Sequence, residues 1–205
     1  MKPIKKVVMI LSLVSCMKVF AQESPEPFFQ NKLALGAKEV KPENNIQSFT
    51  TDGCSRFPDG LFGKNNGLWL ICCEIHDIAY WAGHGNEETR VLADEELRQC
   101  VNKKTNFILG AIVWSGPQMA KSLNTGKTLP TTYRWGYGWR FVTGLGMNLN
   151  EEQRISIGQN LSTIIPAIEK RRKVEGFPAL TKDDRNQLWK KISELFTSLG
   201  LADAE

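Results

Sequence analysis

Cys72-Cys73-Glu74-Ile75-His76-Asp77-Ile78-Ala79-Tyr80 places two cysteines, a histidine, a carboxylate and a tyrosine within little more than two helical turns. Residues four apart share a helix face, so Cys72, His76 and Tyr80 form one stripe. Asp77 points about 100° away from His76, as the helical repeat requires. One side of such a helix can hold a base while its flank holds a cation, an arrangement that suits a metal-assisted hydrolase. Residues 68 to 81 are apolar almost all round, which implies a buried helix.

Gly83-His84-Gly85 breaks that helix. Asn86 reads as the N-cap of a second one, with Glu87 and Glu88 favourable in its first turn. It runs to about Lys103 and is expected to bury Leu92, Ala93, Leu97, Cys100 and Val101. The short turn at 82 to 85 makes the two helices an antiparallel pair. If Asp94 lies opposite His76, the step to Cys100 descends about 9 Å, against about 6 Å back to Cys72 and about 4.5 Å back to Cys73. Cys100 then pairs more naturally with Cys72, and a vicinal Cys72–Cys73 bond would distort the helix. That leaves Cys54 for Cys73.

The rest of the chain is read more coarsely. Asn106 to Trp114 is a third helix candidate, stopped by Ser115-Gly116-Pro117, and 122 to 140 reads as loop. Glu151 to Lys173 carries Ile155, Leu161, Ile164, Ile165 and Ile168, with Pro166 set to kink or split it. Thr181 and Asp184 form a capping box ahead of Leu188, Trp189, Ile192, Leu195, Phe196 and Leu199, and Gly200 closes that helix. Strand signals are scarce. The expected class is mostly α.

The first 21 residues read as an export signal: Lys2, Lys5 and Lys6, an apolar run from Val7 to Met17, then Val19-Phe20-Ala21 before Gln22. The apolar run is too short for a membrane span, so no transmembrane segment is expected in the mature chain. Secretion or periplasmic export is the first reading. The alternative is a lipoprotein anchored through Cys16, from Leu13-Val14-Ser15-Cys16. The chain has 26 basic and 22 acidic residues, and four of the lysines lie in the signal, so the mature part is formally neutral. A nucleic-acid partner is therefore not expected. Four cysteines remain after the signal, an even number that argues for two disulfides in an exported chain. The expected layout is a signal at 1–21, an irregular arm at 22–45, a main domain at 46–140 that holds the 72–80 motif and a helical extension at 141–205 packed on the same domain.

The pattern Cys-Cys-x-x-His-Asp-x-x-Tyr at 72–80, with Asp94 and then Cys100 six residues on, resembles the secreted phospholipases A2. The resemblance covers roughly residues 50 to 103, about a quarter of the chain. It implies a pair of antiparallel disulfide-linked helices, with the C-terminal helices additional to it. Ala79 and Ala93 stand where many animal members carry another disulfide, so that bridge is absent as a unit. Thr51-Asp52-Gly53-Cys54-Ser55 looks more like the bacterial branch, and on that pattern Asp52, Asp77 and the Gly53 carbonyl would hold Ca²⁺. The implied activity is calcium-dependent hydrolysis of a glycerophospholipid ester at the sn-2 position, on a membrane or micelle surface. His76 would be the general base, Asp94 would orient it, and Tyr80 could hydrogen-bond Asp94.

Other readings of the same residues stay open. Asp52 before a glycine is often only a turn former, and Asp59 could compete as a ligand. His84 between two glycines reads as solvated. Cys54, Cys72, Cys73 and His76 could bind zinc, although export favours disulfides. The run Tyr133-Arg134-Trp135-Gly136-Tyr137-Gly138-Trp139-Arg140 could meet a lipid interface, but aromatic packing on the domain is the stronger reading. The functional alternative is a non-catalytic, disulfide-stapled binding or toxin-like module. Oligomeric state is not legible.

Overall fold

The computed structural model describes residues 38–54, 67–84, 87–105, 135, 136, 138, 139 and 148–201. The export segment with Cys16, the arm before residue 38, Asn86, Asp59, the helix expected at 106–114 and most of 122–140 lie outside the described residues. Among the described residues there are five α-helices: α1 Leu70–Ala82, α2 Glu87–Lys104, α3 Glu151–Asn160, α4 Ile164–Glu175 and α5 Lys182–Ser198. No strand occurs among the described residues.

α1 is the spine of the molecule. Leu70, Ile71, Cys72, Cys73, Glu74, Ile78, Tyr80, Trp81 and Ala82 are all buried, so the helix is covered on nearly every side. A helix apolar all round has no solvent face to keep, and its burial is the main source of its stability. α2 runs antiparallel to it, as its contacts require: Cys72 joins Cys100, while His76 and Tyr80 meet Asp94. The second disulfide is Cys54–Cys73. With all four cysteines oxidised, no thiolate is left for zinc.

α2 corrects one expectation. Leu92 is 57% exposed, whereas Arg90, Ala93, Asp94, Leu97 and Val101 are buried. The buried positions recur at three and four residues, and Leu92 sits about 200° round from both Arg90 and Asp94. The inward stripe therefore contains two charged residues in place of a leucine. Cys100 is only partly buried against the core.

The C-terminal third divides where proline chemistry requires. α3 ends at Asn160, Leu161–Thr163 tighten into a 3₁₀ turn, and α4 restarts at Ile164. Pro166 falls in the first turn of α4, where its missing N–H costs nothing. The Thr181–Asp184 capping box opens α5. At its end Leu201 N–H donates to Phe196 O and Gly200 N–H to Thr197 O, a Schellman closure. Ile155, Leu161, Ile164, Ile165, Ile168, Leu188, Ile192, Leu195, Phe196 and Leu199 pack with Ile71, Ile78, Trp81, Leu97 and Val101 in one apolar cluster, and Trp189 borders it.

Two short segments bind this cluster from outside. Residues 38–46 carry a 3₁₀ turn at Pro42–Asn44 and dock on α3, with Asn44 Nδ2 donating to Glu152 Oε2 at 2.7 Å and Ile46 N–H to Ser156 Oγ at 2.8 Å. Trp135 and Trp139 are buried against the C-terminal end of α1, and Trp139 Nε1 donates to Ala82 O at 2.8 Å. Gly136 N–H takes Tyr80 O and Gly138 N–H takes Trp81 O, closing helix carbonyls that have no partner within the helix. Gly83 has φ +53°, and a Cβ there would lie 2.0 Å from the Gly136 Cα, so only glycine permits this approach.

Candidate functional site

The polar side chains of the dyad side come from α1 and α2. His76 Nε2 lies 2.9 Å from Asp94 Oδ1, and the Tyr80 hydroxyl donates to the same oxygen at 2.7 Å. Arg90 donates to the other oxygen, Oδ2, at 2.5 Å and also approaches the Tyr80 hydroxyl at 3.4 Å. Asp94 is fully buried, so every contact matters: a carboxylate in that position needs donors on both oxygens and a counter-charge. Arg90 supplies the charge, Tyr80 and His76 the remaining donors.

That arrangement assigns the tautomer of His76. Asp94 only accepts, so Nε2 carries the proton and Nδ1 keeps a lone pair. The imidazole is tilted over the Tyr80 ring, with centroids 4.2 Å apart, which restrains its rotation. Its side chain is 10% exposed while Asp94 is at zero, so the imidazole reaches solvent and its partner does not. Tyr80 in turn meets Trp135 edge-on at 5.2 Å. Burial, followed by the neighbouring Asp94 carboxylate, raises the Tyr80 phenol far above its usual pKa and keeps it a hydrogen donor.

The opposite flank of α1 is assembled from distant parts. Asp77 Oδ2 accepts from the Thr51 hydroxyl at 2.5 Å, and Thr51 Oγ1 accepts from Gly53 N–H at 3.0 Å. The Cys54–Cys73 bond holds this loop on the helix. Burial pushes the Asp77 carboxyl well above the ordinary aspartate range, and the negative charges of Asp52 and Glu74 push it further. The Thr51 hydrogen bond and Arg171 oppose that shift. Asp52 thus lies near enough to Asp77 to act on it electrostatically.

A half-buried carboxylate with a second one close enough to raise its pKa is a donor pair of the kind a hard cation takes. Asp77 and Asp52 would supply carboxylate oxygens, with the Gly53 carbonyl and water as further ligands. Among the described residues no three His, Cys, Asp or Glu side chains gather into one metal-binding group. A full Ca²⁺ shell of roughly six to eight oxygens would need main-chain oxygens and water besides these.

Four contributors were not legible as site residues. Arg90 has a local signal, since it stands four residues before Asp94 on one helix face. Thr51 is a hydroxyl two residues before a glycine N–H, a common local turn. Arg171 and Arg172 have none. Arg172 makes a buried fork on Glu74, with Nε 2.9 Å from Oε1 and an Nη 2.5 Å from Oε2, and it also lies 3.5 Å from Asp184. Despite Arg172, burial raises the Glu74 carboxyl above its usual pKa. His84 departs from its expected solvation: it is half-buried, and burial first, then Arg154, lowers its pKa, with the Ser198 main chain opposing.

No helix among the described residues is long and apolar enough to cross a membrane. Compared with protein-family models, curated proteins and solved structures, the chain finds no match in any of the three.

Proposed function

We propose that the protein is a phospholipase A2-like hydrolase that cleaves the sn-2 ester of a glycerophospholipid with His76 as general base. The observation that supports this most directly is the partitioning of Asp94: His76 and Tyr80 on one oxygen, Arg90 on the other. A histidine held in one tautomer by a buried carboxylate, with its side chain still 10% exposed, is suited to take a proton.

In this mechanism water binds at His76 Nδ1 and gives up a proton to it as its oxygen attacks the ester carbonyl carbon. Asp94 holds the imidazole in place and stabilises the imidazolium through the Nε2–H bond. The tetrahedral intermediate collapses, the bond to the glycerol oxygen breaks, and the proton on Nδ1 passes to that oxygen. The fatty acid leaves and His76 is neutral again. Asp77, Asp52 and the Gly53 carbonyl would hold Ca²⁺, which supplies stabilisation of the oxyanion when bound. Export, or anchoring through Cys16, would bring the site to a lipid surface.

The test is turnover of phospholipid vesicles with Ca²⁺ and with a chelator, using wild type and His76→Gln verified as folded by circular dichroism. Calcium-dependent release of the sn-2 fatty acid by wild type alone is the expected result. A second reading, a disulfide-stapled binding module without catalysis, is favoured by the absence of a three-residue metal cluster among the described residues. Wild type that is folded and inactive on common phospholipids would select it.

A further inference from the structure

The ring of Tyr80 is held between two others. His76 lies against it with centroids 4.2 Å apart, and Trp135 meets it edge-on at 5.2 Å with the planes at 89°. Tyr80 and Trp135 are both buried, in a small apolar cluster with Ala93 of α2 that is bordered by Ala79. The two alanines carry one methyl each, which leaves the indole room against Tyr80. The backbone that carries the indole is anchored on the end of α1. Gly136 N–H donates to Tyr80 O at 2.7 Å, Gly138 N–H to Trp81 O at 3.2 Å, and Gln47 N–H holds Gly138 O at 2.8 Å. Trp135 Nε1 is itself buried with no hydrogen-bond partner among the described residues. An unpaired buried donor is a cost, so this indole is kept for its shape and its aromatic surface.

What the indole holds matters to the dyad. The Tyr80 hydroxyl donates to Asp94 Oδ1, the oxygen that also faces His76 Nε2. That hydrogen bond fixes only the tip of the Tyr80 side chain, and its ring can still turn about the bonds behind it. A turn of the ring would carry the hydroxyl off Asp94 and withdraw the surface that restrains the imidazole. An aromatic edge packed on the ring opposes that turn. We infer that Trp135 is a positioning residue for the His76–Asp94 dyad: by packing on Tyr80 it holds the hydroxyl on Asp94 and the ring against His76. Its effect on turnover rests on the hydrolase reading above, whereas its effect on the imidazole does not.

A residue that only fills space changes stability and leaves the imidazole alone, so the imidazole is the first readout. The experiment reads the His76 tautomer from its ring-nitrogen NMR shifts, in alkaline buffer, for wild type, Trp135→Phe and Trp135→Leu. Phe keeps an aromatic edge and gives up only an N–H that has no partner; Leu keeps apolar bulk without a ring. Wild type and Trp135→Phe should show the Nε2–H form alone, and Trp135→Leu a mixture of the two tautomers. The second readout is phospholipid turnover. Trp135→Leu should lower kcat by up to about 10²-fold, the scale for a catalytic group displaced from a distance, with KM little changed and Trp135→Phe near wild type. Combined with Tyr80→Phe, Trp135→Leu should be less than additive, because the hydroxyl it positions is already gone. A Trp135→Leu protein with the wild-type tautomer, a mixture already present in wild type, or full additivity with Tyr80→Phe overturns the role. Wild type that hydrolyses no phospholipid overturns the hydrolase reading, and the tautomer measurement then decides the role by itself. If Trp135→Leu fails to fold, Trp135→Met, unbranched and more adaptable in a gap, replaces it under the same criteria.

Discussion

His76 and Asp77 are adjacent in the chain and occupy surroundings made in opposite ways. The His76 side takes its polar partners from α1 and α2, at most 18 residues away, and both oxygens of Asp94 are satisfied. The Asp77 side draws on a loop 26 residues before it, with Arg171 of α4 holding the same loop from 119 residues on, and its carboxylate is pushed toward the neutral form by burial. One carboxylate is charged and compensated from inside the protein. The other is shifted toward its neutral form by burial, with Asp52 and Glu74 adding to the shift and Thr51 and Arg171 opposing it.

The largest effect expected from breaking this contrast is catalytic. His76→Gln removes the base, and hydrolysis should fall by about 10²–10⁴-fold, the usual contribution of general acid–base catalysis. Activity equal to wild type in a steady-state lipid assay would dismiss the dyad as the catalytic unit. Asp94→Asn tests the compensated side through stability: it leaves the buried Arg90 without its counter-charge and should cost about 3–5 kcal/mol in urea unfolding. The pair Cys54→Ser with Cys73→Ser should cost about 3 kcal/mol, the scale for opening a loop of this length, and should act on calcium affinity while sparing the His76–Asp94 contact.

Asp77→Asn should behave in the opposite sense to Asp94→Asn. An aspartate whose folded pKa is raised is less stable in the fold at neutral pH than in the unfolded chain, so its neutral isostere should melt at the same temperature or slightly higher without metal. Calcium binding should be lost in the same protein. A marked drop in metal-free stability would show that the two carboxylates are compensated alike. The smallest effect concerns His84, whose folded pKa is lowered by burial and Arg154. Below the unfolded value of about 6.5 the unfolded chain binds the extra proton more readily, so stability falls as pH drops through that value. His84→Gln should flatten this slope in melting curves taken between about pH 5 and 7, and an unchanged slope would assign it to other groups.

What was legible in the sequence followed the range of the interaction. The 72/76/80 stripe, the Asp94 and Cys100 spacing, the Cys72–Cys100 bond and the Thr181–Asp184 box follow from helical repeat over a few turns, and Cys54–Cys73 is the pair that remains. The apolar identity of Leu92 points inward while its helical phase points out, and the inward face carries Arg90 and Asp94. A charged residue on a helix normally faces water, so Arg90 gave no reason to be counted among core positions. Arg171 on the Asp52 carbonyl and Arg172 on Glu74 depend on how α4 lies across α1, and no periodicity within either segment encodes that crossing.

Glu74 and Arg172 bear on the order in which this molecule folds. A chain ending after α2 would still have both disulfides, His76, Asp94, Tyr80 and Arg90, and would look self-sufficient. It would also have Glu74 on its central helix without the guanidinium that arrives 98 residues later. Closing a loop of that length costs about 4 kcal/mol in chain entropy before the contact returns anything. α1 can therefore be formed early as a helix but committed to the interior only late, when α4 has docked. The covalent half of the protein is nucleated locally and completed by its far end, which makes folding slower than its helical content alone would suggest.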